Sequence, residues 1–331
     1  MKLGILVPQY KETDEVIKPL LDSIAIQQLV NFNDIEVIIV NDGSDVFLTE
    51  KFLNSYPFKI TYYKNEHKGV SGTRQKALDL CKADYVMFCD ADDMFCNVIG
   101  LWLVFKEMQT GFDTLVSVFL EETKMQSEEH VFVKREKDNT FVHGKVHRRR
   151  YLIEQDIRWN EDLTIHEDSY FNVLCIKCSK NVKYCELPFY LWKWRDESVC
   201  RNDFKYMLKT YNDMLKSNTC LIKELIMRGK EEDAQFFVVA MNYDAYFTMN
   251  KDEWINQYNK EYRDSTEKRF AEYYKEFKYL LDKAPVDKKA MVYQSIRNRF
   301  NEEGMYFEKI TYEQWIKHIE ETYLNEATKD W

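Results

Sequence analysis

Three aspartates follow a short apolar run in the segment YVMFCDADDMF, residues 85–95. Asp90, Asp92 and Asp93 stand at its centre, with Ala91 between the first two. Carboxylates this close together repel one another and are costly to remove from water, so something must compensate them. A divalent cation fits best, because Mg²⁺ and Mn²⁺ prefer hard oxygen ligands. The segment therefore predicts an Mg²⁺ or Mn²⁺ site.

The spacing of the aspartates indicates how they could share that site. Asp90 and Asp92 are two residues apart, so in extended backbone they project to the same side. Both could bind one cation, or one could bind the cation and the other a ribose hydroxyl. An acidic turn that caps the next helix is the alternative. None of the nine glycines forms a GxGxxG fingerprint or a P-loop, so a bound diphosphate would need a cation instead of a glycine cradle.

The elements that must position these aspartates alternate between strand and helix. This order predicts a mainly parallel sheet flanked by helices, and such sheets bind ligands outside the carboxyl ends of their strands. Polar clusters follow the first, second and fourth strands, which places them together at that edge. The predicted strands are Leu3–Val7, Ile35–Val40, Ile60–Tyr63 and Tyr85–Cys89, and the predicted helices are 13–30 and 71–82.

The composition of the chain changes at about residue 204. Long charged segments with apolar residues at helical spacing follow, and glycine and proline become scarce. The length of 331 residues also favours two domains. We therefore predict an α/β ligand-binding domain over residues 1–203 and an all-helical domain over residues 204–331.

Charge and hydropathy exclude some classes of protein. The net charge of −9 disfavours nucleic-acid binding, which relies on cationic side chains that displace counterions. No segment approaches the 18 consecutive apolar residues typical of a membrane span. The expected location is the cytoplasm, with peripheral attachment to a membrane as a variant. The mixed or acidic charge of the helical domain favours acceptor binding or homodimer formation over membrane docking.

Four segments together resemble the family 2 glycosyltransferases of the GT-A fold: ILVPQYKE, VIIVNDGSD, NEHKGVSGTRQKAL and YVMFCDADD, in this order. The resemblance covers about residues 1–200, where FVHGKVHRRRYL, IHEDSYFN and LWKWRDESVC are similar to later segments of the family. It implies an inverting, metal-dependent transferase that moves a sugar from a nucleotide diphosphate sugar, by expectation a UDP-sugar, to a glycan, a lipid-linked or a protein acceptor. No segment is long and apolar enough to span a membrane, which disfavours a synthase that extrudes a polymer and favours the transfer of a single sugar.

The resemblance also implies roles for individual residues. Asp90 and Asp92 would hold the ribose and the metal, with Asp92 the direct ligand and His143 a further candidate ligand. Asp168 would be the catalytic base, and its position at the start of a helical pattern predicts that the helix dipole keeps it ionised. Acidic capping of that helix is the alternative for Asp168. Asp42 would accept the imino N–H of uracil. The nucleotide-sugar site would be completed by Pro8, Tyr10, Glu12, Lys68, Gly69, Arg74 and Ala91.

Two other functions remain compatible with such a sheet. A nucleotidyltransferase can share it, but usually has a GxGxR segment after the first strand, where this chain has VPQYKE. A non-catalytic protein that binds nucleotide sugars would keep the binding residues without the activity. The presence of all the expected acidic residues favours the enzyme over both.

Overall fold

The computed structural model describes residues 1–125, 127–196, 210–302 and 310–324. The chain divides into two compact units, Met1–Ser198 and Val199–Trp331. The predicted domain boundary after residue 203 lies outside the described residues, as do residues 197–200 of the LWKWRDESVC segment.

One mixed sheet organises the described part of the N-terminal unit. Its nine strands follow the order β3-β2-β1-β4-β8-β6-β9-β5, and β7 pairs with β6. The strands are β1 Leu3–Gln9, β2 Ile35–Asn41, β3 Lys59–Lys64, β4 Tyr85–Phe88, β5 Met94–Phe95, β6 Thr114–Lys124, β7 His130–Arg135, β8 Lys145–Arg148 and β9 Val182–Trp192.

The parallel part of the sheet carries the predicted polar clusters. Strands β3, β2, β1 and β4 are parallel neighbours, as the alternation of strand and helix predicts. Beyond β4 the sheet is mixed: β8 is antiparallel to β4 and β6, whereas β9 is parallel to β6. Strands β6, β7 and β8 are joined without a helical crossover, which antiparallel pairing permits.

Apolar faces dock the helices of this unit on the sheet. Helix α1 buries Ile17, Leu20, Leu21 and Ile24, and ends at Ala25, five residues before the predicted end. A Cβ atom on Gly4 in β1 would lie 2.5 Å from the Cys81 sulfur, so only glycine lets the end of α3 pack this closely. The helices are α1 Asp14–Ala25, α2 Glu50–Leu53, α3 Gly69–Leu80, α4 Gly100–Thr110, α5 Arg149–Glu154 and α6 Glu167–Lys177.

The described part of the C-terminal unit is helical, as predicted. Buried aromatic side chains such as Trp254, Phe270 and Phe277 fill its interior. Side-chain caps fix two helix starts, Asn259 and Thr311. None of the helices among the described residues has both the length and the apolar composition of a membrane span. The helices are α7 Tyr211–Met227, α8 Glu231–Met249, α9 Asp252–Gln257, α10 Lys260–Lys283, α11 Val286–Glu302 and α12 Tyr312–Ile319, followed by a π-helical turn, Glu320–Leu324.

Candidate active site

The loop after β2 presents a buried carboxylate at the carboxyl edge of the sheet. Asp42 is 4% exposed, and its Oδ1 accepts the backbone N–H of Lys68 at 2.7 Å. Its Oδ2 lies 2.9 Å from Nδ1 of His67. Gly43 has φ +73°, and a Cβ atom there would lie 2.6 Å from the backbone nitrogen of His67. The loops after β2 and before α3 are thus held together, and Asp42 is in contact with the start of the Lys68–Gly69 segment.

An aromatic surface lies beside this loop. The ring of Tyr10 is 45% exposed, and its centroid is 5.1 Å from that of His67. The Tyr10 N–H donates to a carboxylate oxygen of Glu12. Burial raises the pKa of Glu12, and the nearby charge of Asp92 adds to the effect. Pro8 lies within β1 opposite Val40 of β2. The structure therefore brings Tyr10 and Glu12 to the edge where Asp42 lies.

Arg74 connects two of the acidic segments. Its Nη2 donates to Oδ1 of Asp90 at 2.8 Å, and its Nη1 donates to Oε1 of Glu167 at 2.8 Å. The guanidinium is 4% exposed and lies 4.9 Å above the ring of Trp159. Burial alone would lower the pKa of Arg74, but the two carboxylates raise it above its usual value. These contacts fix Arg74 between β4 and α6, and its predicted contact with the nucleotide stays a prediction.

Asp90, Asp93 and His143 form a group whose donor atoms all lie within 4.8 Å of one another. Asp93 is 1% exposed; its Oδ2 accepts the Tyr190 hydroxyl at 2.7 Å and its Oδ1 accepts the backbone N–H of Lys193 at 3.0 Å. Each carboxylate oxygen keeps a second lone pair for a cation. Nδ1 of His143 lies 3.6 Å from Oδ2 of Asp93.

The chemistry of this group fits a divalent cation. Two carboxylates and one imidazole are an O, O, N donor set that suits Mn²⁺, and Mg²⁺ if the imidazole does not bind. Burial raises the pKa of Asp93 well above its usual value, and the charges of Asp90 and Asp92 add to the effect. A bound cation would remove this electrostatic cost. Asp90, Asp93 and His143 are therefore the described side chains that could hold a divalent cation.

Asp92 has a different partner from its neighbours. Its Oδ2 accepts a hydrogen bond of 2.7 Å from Nη1 of Arg195, and the same nitrogen lies 4.0 Å from Oε1 of Glu12. The structure thus groups Asp93 with His143, whereas the sequence favoured Asp92 as the direct ligand. That role of Asp92 stays a prediction. Asp93 was passed over because alternation along an extended chain points it away from Asp92, and the backbone turns here instead of continuing as a strand.

His143 is held by aromatic rings on both sides. Its ring is stacked on Trp192 at 4.8 Å and on Tyr190 at 5.2 Å. Lys145, 1% exposed, donates to the carbonyl of Phe141 and lies 3.4 Å from Oδ1 of Asp138. The loop that carries His143 is therefore braced from within and from the side of β9.

Asp168 lies in the first turn of α6, directly after Glu167. Its Oδ1 accepts the backbone N–H of Ser169 at 2.7 Å. The amide of Asn172 donates to the backbone carbonyls of Asp168 and Thr140, both at 2.9 Å, and so ties α6 to the loop before β8. The Asp168 carboxyl keeps partial solvent contact in dense protein surroundings.

The prediction that the helix dipole keeps Asp168 fully ionised is wrong. Burial, and next the charge of Glu167, raise the pKa of Asp168 to about 7, while Arg74 opposes them. Sequence reasoning missed Glu167 as the partner of Arg74, although its place beside Asp168 was visible. Sequence reasoning also missed Trp159, which ends the segment QDIRW, residues 155–159.

The fold and the site define a class of protein. A sheet whose parallel strands end in Asp42 and Asp90, with a metal-type acidic group and further carboxylates on α6, is the arrangement of a GT-A-like domain. The family model of glycosyl transferase family 2 matches residues 4–97 of the chain.

Relatives agree with this assignment over parts of the chain. It is 25% identical to the minor teichoic acid biosynthesis protein GgaB of Bacillus subtilis (strain 168), over 57% of this chain and 24% of GgaB. It is 30% identical to the poly(ribitol-phosphate) beta-N-acetylglucosaminyltransferase TarS of Staphylococcus aureus (strain Mu50 / ATCC 700699), over 28% of this chain and 16% of TarS. The matched segments thus span a quarter or less of these relatives' lengths.

A solved structure agrees with the fold. The crystal structure of S. aureus TarS 1-349 in complex with UDP is similar to this chain with a TM-score of 0.62 and 17% sequence identity. The similarity covers 94% of this chain and 94% of that one. At this level of identity, the likeness establishes the fold, a GT-A-like domain with a helical C-terminal region.

Proposed function

We propose that the protein is an inverting, metal-dependent glycosyltransferase that moves a single sugar from a UDP-sugar to an acceptor hydroxyl. One observation carries the proposal. Asp90 of the metal-type group and Glu167, which precedes the candidate base, are both held by the guanidinium of Arg74. The structural neighbour crystallised with UDP supports a UDP-linked donor.

The residues divide the work of binding the donor. Asp42 accepts the imino N–H of the base, and Tyr10 packs against the base or ribose. Asp90 and Asp93, with His143, hold the cation, whose chemistry when bound is to neutralise the negative charge that develops on the departing diphosphate. Arg195 and Lys68 supply further positive charge at this edge.

Asp168 acts on the acceptor. The acceptor oxygen attacks C1 of the sugar, the bond from C1 to the β-phosphate oxygen breaks, and the proton of the acceptor hydroxyl passes to the Asp168 carboxylate. Attack opposite the diphosphate inverts the anomeric centre. A base with a pKa of about 7 is well matched to proton transfer near neutral pH.

Asp168→Asn tests the proposal. The amide keeps the size of the side chain and the oxygen that accepts the Ser169 N–H, but it cannot accept the proton. We expect the transfer rate from UDP-sugars in the presence of Mn²⁺ to fall about 10²- to 10⁴-fold, while the Kd for UDP measured by calorimetry stays unchanged.

A matched control is Asp287→Asn, which changes an exposed aspartate in the first turn of α11 and should leave both quantities unchanged. Full turnover by Asp168→Asn would show that another group is the base. If the wild-type protein bound UDP-sugars but neither transferred nor hydrolysed them, it would be a binding protein.

A further inference from the structure

The helical unit contains a cleft to which the sequence and the proposed mechanism assign no role. It lies among helices α8, α10, α11 and α12, and its volume is about 1020 Å³. This volume is at the upper end of the range for small-molecule sites, about 300–1,000 Å³, and would hold several sugar rings. Five tyrosines among the described residues line the cleft: Tyr243, Tyr246, Tyr274, Tyr293 and Tyr312.

Three of these rings form an open aromatic cluster. The centroid of Tyr243 lies 5.2 Å from that of Tyr293 and 5.0 Å from that of Tyr312, with interplanar angles of 83° and 63°. All three side chains keep partial solvent exposure. The hydroxyl of Tyr312 donates to Oδ1 of Asn242 at 3.3 Å, which fixes the orientation of that ring. The cluster offers aromatic faces and edges in several directions.

The charges around the cleft balance. Among the residues that the structure describes, three lysines and three carboxylates line it, so these lining charges cancel and do not favour a polyphosphate. Some of these charges are paired within one helix, as in Lys278 with Asp282 at 2.6 Å. Amide side chains add neutral hydrogen-bonding groups. The polar lining comprises Lys278, Lys289, Lys317, Asp282, Glu313, Glu320, Gln294, Gln314 and Thr311.

These features select one class of ligand. An aliphatic chain would remove water from the charged rim of the cleft without replacing the lost hydrogen bonds, at a cost in free energy. A nucleotide would find aromatic faces, but its phosphates would meet as many carboxylates as lysines among the described lining residues. A neutral sugar has apolar C–H faces that pack on aromatic rings and hydroxyls that bond to carboxylates and amides.

We propose that this cleft binds a neutral oligosaccharide. The further inference that this oligosaccharide is the acceptor of the transferred sugar rests on the proposed transferase function. The binding itself does not, because the cleft is built from the helical unit alone.

The test uses the full chain and an array of neutral and charged oligosaccharides, with saturation-transfer NMR on the glycans that bind. We expect at least one neutral oligosaccharide to bind, and its Kd to rise at least tenfold in Tyr243→Ala and in Tyr293→Ala. Tyr243→Phe, which keeps the ring and removes the hydroxyl, should bind more tightly than Tyr243→Ala. Tyr279→Ala is the control, because Tyr279 is 44% exposed on α10 and does not line the cleft.

Each outcome decides the proposal. Absence of any neutral glycan among the ligands, or binding that survives both alanine substitutions, would overturn it, as would UDP binding that depends on Tyr243. A second titration, with UDP in the presence of Mn²⁺, monitors the N-terminal unit. The Kd for UDP should be the same in all variants, which would show that this unit is folded in each of them. If glycan binding holds while no sugar is transferred, only the proposed catalysis fails.

Discussion

The two units of the molecule differ in what they bury. The N-terminal unit buries charged side chains near the strand ends, among them Arg74, Asp93 and Lys145. In the helical unit, Lys251 is the one buried charge among the side chains that the structure describes, and it lies 4.2 Å from the centre of the Phe300 ring. Buried charges destabilise a fold unless they are paired. The grouping of Arg74 and Asp93 with other charges beyond the end of β4 therefore indicates selection for chemistry, whereas the described helical unit is held together mainly by apolar packing.

Removal of a buried cation should have the largest effect on stability. Arg74→Ala leaves the carboxylates of Asp90 and Glu167 without their partner. We expect the free energy of unfolding of the N-terminal unit to fall by about 3–5 kcal/mol, as measured by hydrogen exchange across a urea series.

The matched exposed pair gives the contrast. Arg150 forms an ion pair with Glu154 one turn along α5, and its side chain is 80% exposed. Arg150→Ala should cost no more than about 0.5 kcal/mol. Equal costs for Arg74→Ala and Arg150→Ala would mean that burial does not distinguish the two pairs, and the difference between the units would lose its energetic basis.

The contrast between apolar runs and the charged residues that follow them explains which features the sequence could predict. Apolar runs predicted β1, β2 and β4 because a buried parallel strand leaves an uninterrupted hydrophobic pattern. Strand β3, at the edge of the sheet and without a buried residue, was predicted from its β-branched and aromatic residues. The aspartates at the end of β4 stood out because polar groups rarely follow such a run without a role.

What the sequence could not supply is pairing across long separations. Arg74 and Glu167 are 93 residues apart, and Asp92 and Arg195 are 103 apart. Local spacing carries no information about such contacts, so the choice between Asp92 and Asp93 as neighbour of His143 needed the structure. The tyrosine cleft was invisible for the same reason, since its residues come from four helices.

Two glycines with positive φ, Gly43 and Gly229, allow a loop at the candidate site to be compared with a loop in the helical unit. Gly43 has φ +73° and contacts His67, whereas Gly229, with φ +69°, has open space around it in the helical unit. Gly229→Ala should cost about 1–2 kcal/mol from backbone strain alone. Gly43→Ala adds a clash with the His67 backbone and displaces the Lys68 N–H from Asp42, so the Kd for UDP should rise about tenfold.

Calorimetric titration of UDP into both variants measures the difference. Gly229→Ala must keep wild-type affinity. If Gly43→Ala also kept it, the contact between Asp42 and the start of α3 would have no part in nucleotide binding, and Asp42 would need another explanation for its burial.

The smallest predicted effect concerns the pH dependence of stability at Asp168. In the unfolded chain an aspartate has a pKa of about 3.9, whereas in the folded protein burial raises that of Asp168 to about 7. Between these values the folded state binds the extra proton, so the free energy of unfolding decreases as the pH rises, and above pH 7 the full cost of the buried charge is present.

Asp168→Asn carries no such charge. It should therefore gain stability relative to the wild type, by the order of 1 kcal/mol more at pH 8 than at pH 5, because solvent screens part of the cost of the charge. Urea unfolding at both pH values measures this, with Asp287→Asn expected to stay within about 0.5 kcal/mol of the wild type at each. If the stability gained by Asp168→Asn became smaller as the pH rises, the site would stabilise the ionised form of Asp168. The ionised base would then not destabilise the N-terminal unit.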